Sequence, residues 1–486
     1  MTYRNTVAAL SVLALLLFAY PVVRSGIEIE IDYNEGWNVF QQLRAQAWTS
    51  LYSGQGPMLF NNYPPLSFYL VGGLGVIVGD PLLAGRLLSL AATLVIAVSS
   101  GLVVRGGGGG RSDAILAAAT CLGLFSAFAT DYVGINDPQL LAQAFLCAGF
   151  ALYVSGTPTP GRLALVALLF SAGLLTKHNV LALPLVVTVH ILWRTPKTAR
   201  TTYLVTGIGI AALSAGLIHL LAGPDFFRQL LAPRTYDVAR GFLLTIEVLG
   251  KLHAPLGIVG LFLLLTGRRH AVTAQVAATL ALSLLLGMGF SGGAGVDINI
   301  FFDSFVALAM GTGLAAAWIR QNLRLPPMAP AVLAVTVNAG VILFAPLALG
   351  RMAEDVLEGF ALRQRLFGED AAYLRTTPGT AICESMLLCL RAGKPILVDP
   401  YNTLQATLTG RLPADQVTGM LARGEIAVAQ ISSTREHPVD EAPGLQVMPV
   451  RFINFGDPVF DALEQSYRVD RVGLSGRFWR PRGTPQ

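Results

Sequence analysis

The sequence predicts an all-α polytopic membrane protein carrying a small C-terminal α/β domain outside the membrane. Three observations lead there. Of 486 residues, 53% are apolar and only 13% charged, a balance foreign to soluble domains of this length. Apolar segments long enough to span a bilayer, or nearly so, recur through the first 350 residues, where each crossing needs ~20 residues. From about Arg351 the composition turns mixed and no such run recurs. The expected division is therefore 1–350 for the membrane domain and 351–486 for the soluble domain.

The apolar segments fall at about 6–23, 87–104, 113–130, 139–155, 163–176, 179–193, 202–222, 243–266, 271–290, 299–318 and 328–350. They give about eleven crossings. The run from Ser67 to Gly79 is too short for a straight span and reads as an interfacial helix of the first outer loop. Charge placement supports this. With that run lying flat and the N-terminus inside, Arg4, Arg105, Arg111, Arg162, Arg194, Lys197, Arg200, Arg269, Arg320 and Arg324 all face the cytoplasm, as the positive-inside bias requires. The outer loops then collect Asp32, Glu35, Asp131, Asp137, Asp225, Asp237 and Asp297. The C-terminal domain lies outside the cytoplasmic membrane. Gly106 to Gly110 follows a helix and no strand, so it reads as a flexible turn and not a phosphate loop.

In the C-terminal region, Thr380 to Glu384 and Pro395 to Asp399 read as short buried strands, with Met386 to Ala392 as a helix stopped by Gly393. Ile426 to Ile431 and Leu445 to Val450 read as further strands. Four cysteines are too few for a disulfide framework, but Cys383 and Cys389 can pair in an oxidising compartment. The formal charge of +5 follows topology and not a basic face, so no nucleic-acid partner is expected.

Carboxylates at the mouth of a transmembrane helix are costly to keep there without a task. Glu28, Glu30, Asp32 and Glu35 crowd the start of the first outer loop. Asp32 and Glu35 have the spacing of a capping box, yet the four together exceed what one helix start needs. A carboxylate here suits a general base acting on a hydroxyl. Asp137 before Pro138 starts a helix, or holds a metal or orients a hydroxyl with Asn136. Lys177 and His178 interrupt an apolar hairpin at its outer end; Lys177 snorkels to the interface or stabilises charge on a phosphate. Arg228, Arg234 and Arg240 put three cations on the outer side, where they suit an anionic headgroup. Asp303, about one turn inside a span, should face a cavity or a partner.

These motifs, in this order, resemble the GT-C glycosyltransferases that use polyprenyl-phosphate sugars. They are the acidic first outer loop, Tyr63-Pro-Pro-Leu66, Ala84-Gly-Arg86-Leu-Leu-Ser-Leu90, Asn136-Asp137, Gly173-Leu-Leu-Thr-Lys177 and Asn299 to Asp303. The chain looks closest to the bacterial relatives of the protein O-mannosyltransferases and of the lipid A aminoarabinose transferase, over about residues 1–350. The resemblance implies an inverting transfer from a polyprenyl-phosphate sugar to a hydroxyl on a cell-envelope glycan, lipid or protein. It makes Asp32 the first choice for the base and Glu35 the second. Tyr63, Lys177, His178, Arg228, Arg234 and Asn299 become phosphate or donor contacts, and Asn136, Asp137 and Asp303 acceptor- or metal-orienting residues. A divalent cation, Mg or Mn, would rest on Asp32 and Asp137. Members often show adjacent Asp-Glu where this chain has Asn34-Glu35, and Lys or His where it has Tyr63. The alternative is a transporter or flippase of lipid-linked sugars, which predicts internal repeats; the sequence shows none.

Overall fold

The computed structural model describes residues 2–54, 56–267, 269–432 and 454–483. Six helices are long and apolar enough to cross a bilayer unaided: Tyr3–Arg24, Pro81–Gly106, Arg111–Phe128, Lys197–Ala222, Ala271–Phe290 and Ile298–Asn322. Two more segments are bent pairs. Val238–Lys251 and His253–Thr266 meet at 79°, and Ala329–Val337 and Ala339–Thr376 at 51°. The remaining three predicted spans are the shorter helices Pro138–Val154, Pro160–Thr176 and Ala182–Arg194. The first of these is mostly buried and packs on both Pro81–Gly106 and Pro160–Thr176, so protein and not lipid sets its length.

Local sequence explains where several of these helices begin. Asp80, Asp137 and Thr159 each precede a proline, and each side chain accepts a hydrogen bond from the first turn that follows. Proline at the first helical position sacrifices no hydrogen bond there.

The helix Leu66–Val78 does not cross. Tyr3 Oη donates to Asp113 Oδ1 at 2.8 Å, and Arg320 reaches the same carboxylate at 3.3 Å. The starts of the first span and of Arg111–Phe128 therefore share one end of the bundle. That requires an even number of crossings between them, and Tyr3–Arg24 with Pro81–Gly106 supply two. The glycine run at this end is less free than its composition predicts: a Cβ on Gly106 would lie 2.7 Å from the Val154 carbonyl, so the turn is packed.

Ile298–Asn322 forms the bundle's axis, buried over nearly its whole length. Phe302 and Phe305 meet Phe125 there at centroid distances of 4.9 and 5.5 Å.

The helix from Ala339 runs through residue 351 to Thr376 by way of a π turn at Asp355–Gly359. Beyond it stand β1 (Ala381–Cys383), β2 (Val428–Ile431), β3 (Tyr467–Gly473) and β4 (Gly476–Pro481), in the order β1-β2-β4-β3. β1 and β2 are parallel and the other pairs antiparallel. The helix Met386–Arg391 follows β1, and Gly393 takes φ +72° just past its end. Cys383 and Cys389 are joined in a disulfide. The strand expected at 395–399 is not one. Those residues run as irregular backbone into Asp399, which caps the helix Pro400–Leu408; a short apolar run does not by periodicity alone distinguish a strand from a buried loop. The expected strand at 445–450 lies outside the described residues.

This C-terminal unit shares its core with the loop between Tyr3–Arg24 and Pro81–Gly106. Ile29, Val39 and Leu82 pack with Phe367, Leu374, Leu387 and Phe478. Arg391 pairs with Asp80 at 2.7 Å, and Asp399 N donates to the Met58 carbonyl at 2.9 Å. Helix Asn34–Gln46 approaches Met386–Arg391 so closely that a Cβ on Gly36 would stand 2.3 Å from the Leu387 backbone nitrogen. Gly36→Ala is expected to displace the unit, read as faster limited proteolysis after residue 351 with the membrane helices still protected.

Candidate active site at the outer loop

The loop between Tyr3–Arg24 and Pro81–Gly106 is organised by one arginine. Arg86, fully buried in the second turn of Pro81–Gly106, uses all five of its donors. Nε and Nη2 hold Glu35 Oε1 and Oε2 at 2.8 and 2.6 Å. Nη1 reaches the carbonyls of Ser25 and Ile27, and Nη2 that of Ile29 at 2.6 Å. Glu35 also accepts from the backbone of Ile31 at 2.7 Å and of Asn136 at 2.8 Å. All its acceptor capacity is engaged away from solvent, so Glu35 ties three segments together.

Asn136 continues this frame. Its side-chain amide pairs reciprocally with Gln42 at 2.7 and 2.8 Å. It lies so close to the Pro81–Gly106 helix that a Cβ on Gly85 would fall 1.9 Å from its Oδ1.

Around the frame runs a chain of polar groups. Asp32, half-buried in the turn before Asn34–Gln46, accepts from Asn34 N at 3.0 Å. Asn34 Nδ2 donates to Asp137 Oδ2 at 3.2 Å. Asp137 Oδ1 accepts from Gln139 N at 2.7 Å and from Lys177 Nζ at 3.4 Å. Lys177 in turn donates to Tyr63 Oη at 3.2 Å and stands 4.3 Å from the centre of that ring. Burial, reinforced by the Glu35 and Asp137 charges against a single opposing backbone bond, pushes the Asp32 carboxyl up to about 7.

Beside Tyr33 and Asn34 opens a cavity of about 40 Å³ between the loop and the C-terminal unit, lined also by Tyr63, Arg234, Asp399 and Tyr401. A water needs about 10–15 Å³ on this measure, so it accepts several polar groups. Arg234 lies over the Tyr401 ring and donates to Asn402 Oδ1 at 3.3 Å. Burial raises the Asp399 carboxyl to about 6. Asn34 Oδ1 and Tyr401 Oη, of residues that line this cavity, have no hydrogen-bond partner among the described residues.

The structure thus gathers Asp32, Glu35, Tyr63, Asn136, Asp137 and Lys177, and places Arg234 across the cavity. Four other candidates lie elsewhere. Arg228 is exposed and pairs with Asp225, three residues before it. His178 is exposed in the turn after Pro160–Thr176. Asn299 and Asp303 belong to a second cluster, bound to Gln139 and Gln143. Asp137 is neutralised by Lys177, and no group of three His, Cys, Asp or Glu side chains gathers among the described residues. Sequence reasoning passed over Arg86 as a site residue, although a guanidinium within an apolar helix must find a partner. Asp399 and Tyr401 carried no signal beyond their Asp-Pro helix start.

The fold is shared with membrane proteins of known crystal structure. Crystallographic relatives in fold include the transferase ArnT from Cupriavidus metallidurans. Its apo form aligns with a TM-score of 0.62 over 97% of this chain and 99% of that one at 13% identity, and its form bound to undecaprenyl phosphate with 0.60 at 15% identity over the same shares. The archaeal oligosaccharyltransferase AglB from Archaeoglobus fulgidus, in complex with an inhibitory peptide and a dolichol-phosphate, aligns with 0.54 over 88% of this chain and 69% of that one at 11% identity. No protein-family model and no curated protein sequence matches this chain.

Proposed function

We propose that this protein is an inverting glycosyltransferase that moves a sugar from a polyprenyl phosphate to an acceptor hydroxyl at the outer face of the cytoplasmic membrane. The observation that carries the reading is the unbroken polar chain from Asp32 through Asn34 and Asp137 to Lys177 and Tyr63. It sets a carboxylate poised near neutrality at one end and a buried ammonium at the other. ArnT, which shares the fold, has been crystallised with undecaprenyl phosphate, and AglB with a dolichol-phosphate.

In this reading Asp32 takes the proton of the acceptor hydroxyl as its oxygen attacks the anomeric carbon. The bond from that carbon to the phosphate oxygen breaks, and the electron pair leaves with the polyprenyl phosphate. Lys177, with the Tyr63 hydroxyl, meets the charge that grows there; Asp137 holds the ammonium in place until the phosphate arrives. Glu35 and Arg86 fix the loop and touch neither substrate. The acceptor's hydroxyl-bearing end enters by the cavity that Arg234 and Tyr401 wall off.

The Cys383–Cys389 disulfide suits an oxidising compartment, which supports placing the unit beyond Thr376 outside the membrane as a cover over the site, with the helix from Ala339 as its stalk. The test is transfer by purified protein from a panel of radiolabelled polyprenyl-phosphate sugars, with envelope extract as acceptor. Donor consumption supports the reading; a donor that binds yet is never consumed sinks it. Lys177→Met is expected to weaken undecaprenyl-phosphate binding about 10–100-fold, the worth of a lost charge-assisted contact, read as the dissociation constant in detergent. An unchanged constant would remove Lys177 from the phosphate site.

A further inference from the structure

The second polar cluster lies deeper in the bundle, away from the outer loop. Here a cavity of about 10 Å³, the room of one water or one ion, is lined by Gln143, Asn179, Ser283, Asn299 and Asp303. The amide oxygens Gln143 Oε1, Asn179 Oδ1 and Asn299 Oδ1 have no hydrogen-bond partner among the described residues. Gln143 and Asn299 are more than nine-tenths buried, as is Asp303.

The two buried amides are held with their oxygens free. Gln143 Nε2 donates to Asp303 Oδ1 at 2.5 Å, and Asn299 Nδ2 donates to Gln139 Oε1 at 3.2 Å. Turning either amide over would break that bond. Asp303 Oδ2 accepts from the Leu183 backbone at 3.1 Å, and no cation pairs with the carboxylate among the described residues. The Lys177 ammonium is committed to Asp137.

Three orphan carbonyl-type oxygens and one carboxylate around a single small void are all acceptors. A water brings two hydrogens and leaves the rest unmet; a hard cation satisfies every oxygen at once. One carboxylate in an apolar bundle balances one positive charge, and a divalent ion would leave a net charge where solvation is poorest. We propose that this cavity is a binding site for a monovalent alkali cation, sodium or potassium, ligated by Asp303, Gln143, Asn179 and Asn299. Such an ion joins the helices Pro138–Val154 and Ile298–Asn322 to the loop after Thr176. It thereby fixes Asn179 and, two residues earlier, Lys177.

The test is thermal unfolding of the full-length protein in detergent, titrated with NaCl or KCl against choline chloride at constant ionic strength. The wild type is expected to gain about 3–5 °C, saturably, with one of the alkali salts. Asp303→Asn should lose the dependence. Asn179→Ala removes a side chain with no hydrogen bond among the described residues, and should raise the half-saturating salt concentration about 10-fold or more while folding normally. It decides the matter if Asp303→Asn does not fold. Identical melting in all three salts overturns the site. Stabilisation by Mg²⁺ or Ca²⁺ alone overturns its monovalent assignment.

Discussion

Asp32→Asn is expected to reduce transfer by about 10²–10⁴-fold while donor binding persists. The substitution keeps the oxygen that accepts from Asn34 N at 3.0 Å, so the turn survives and only the proton acceptor is lost. The wild-type pH profile should carry the same signature. An ordinary aspartate titrates near 4, whereas burial and the Glu35 and Asp137 charges raise this one to about 7. Below that pH the carboxyl holds its proton and accepts no other. Transfer should therefore rise with pH through about 7 with unit slope and flatten above. The linkage sign gives an independent check. Because the folded carboxyl binds its proton more tightly than the unfolded one, ionised Asp32 costs stability increasingly between about pH 4 and 7 and fully above. Asp32→Asn, which carries no such cost, should melt no lower than wild type at pH 8. A variant that melts many degrees lower would mark Asp32 as structural and hand the base to another group.

The second large effect concerns the pair beneath. Glu35→Leu or Arg86→Met alone is expected to cost about 3–5 kcal/mol, since each leaves a buried charge without its partner. Arg86→Lys should fare little better. An ammonium has three donors and no planar fork, whereas the guanidinium serves both Glu35 oxygens and the carbonyls of Ser25, Ile27 and Ile29. The double variant Glu35→Leu with Arg86→Met should recover part of the loss, because apolar groups replace a buried pair at little cost. The three carbonyls would still lack donors. Thermal unfolding of the four proteins at one detergent concentration forms the cycle. Strict additivity of the two single losses would mean that the residues do not act as a pair.

The membrane segments were legible because lipid imposes one requirement, a continuous apolar stretch, and charge at the segment ends reports sidedness. The short run at 66–78 was legible for the same reason, and the Tyr3–Asp113 contact at one bundle end agrees. In the site, the sequence picked out Asp32, Asp137 and Lys177 by their placement in loops, and the structure brings Asp137 and Lys177 into contact. The bond between Glu35 and Arg86 was not, since it joins residues of different elements and no local pattern encodes a partner 51 positions away. The C-terminal unit was read least well. At 395–399 apolar residues suggested a strand, while the Asp399-Pro400 signal for a helix start, the same one read correctly at Asp137-Pro138, was the better guide.

The core shared by the outer loop and the tail has a consequence for biogenesis. Ile29, Val39 and Gly36 leave the ribosome about 350–450 residues before Leu387 and Phe478, against which that region packs. At about 5–20 residues per second, the loop waits roughly 20–90 s for its other half. Until then Tyr33, Asn34 and Tyr63 stand in an unfinished wall, and a chain stalled or clipped before the sheet is made carries the membrane helices but no finished cavity. Synthesis of the tail thus becomes the event that closes the cavity.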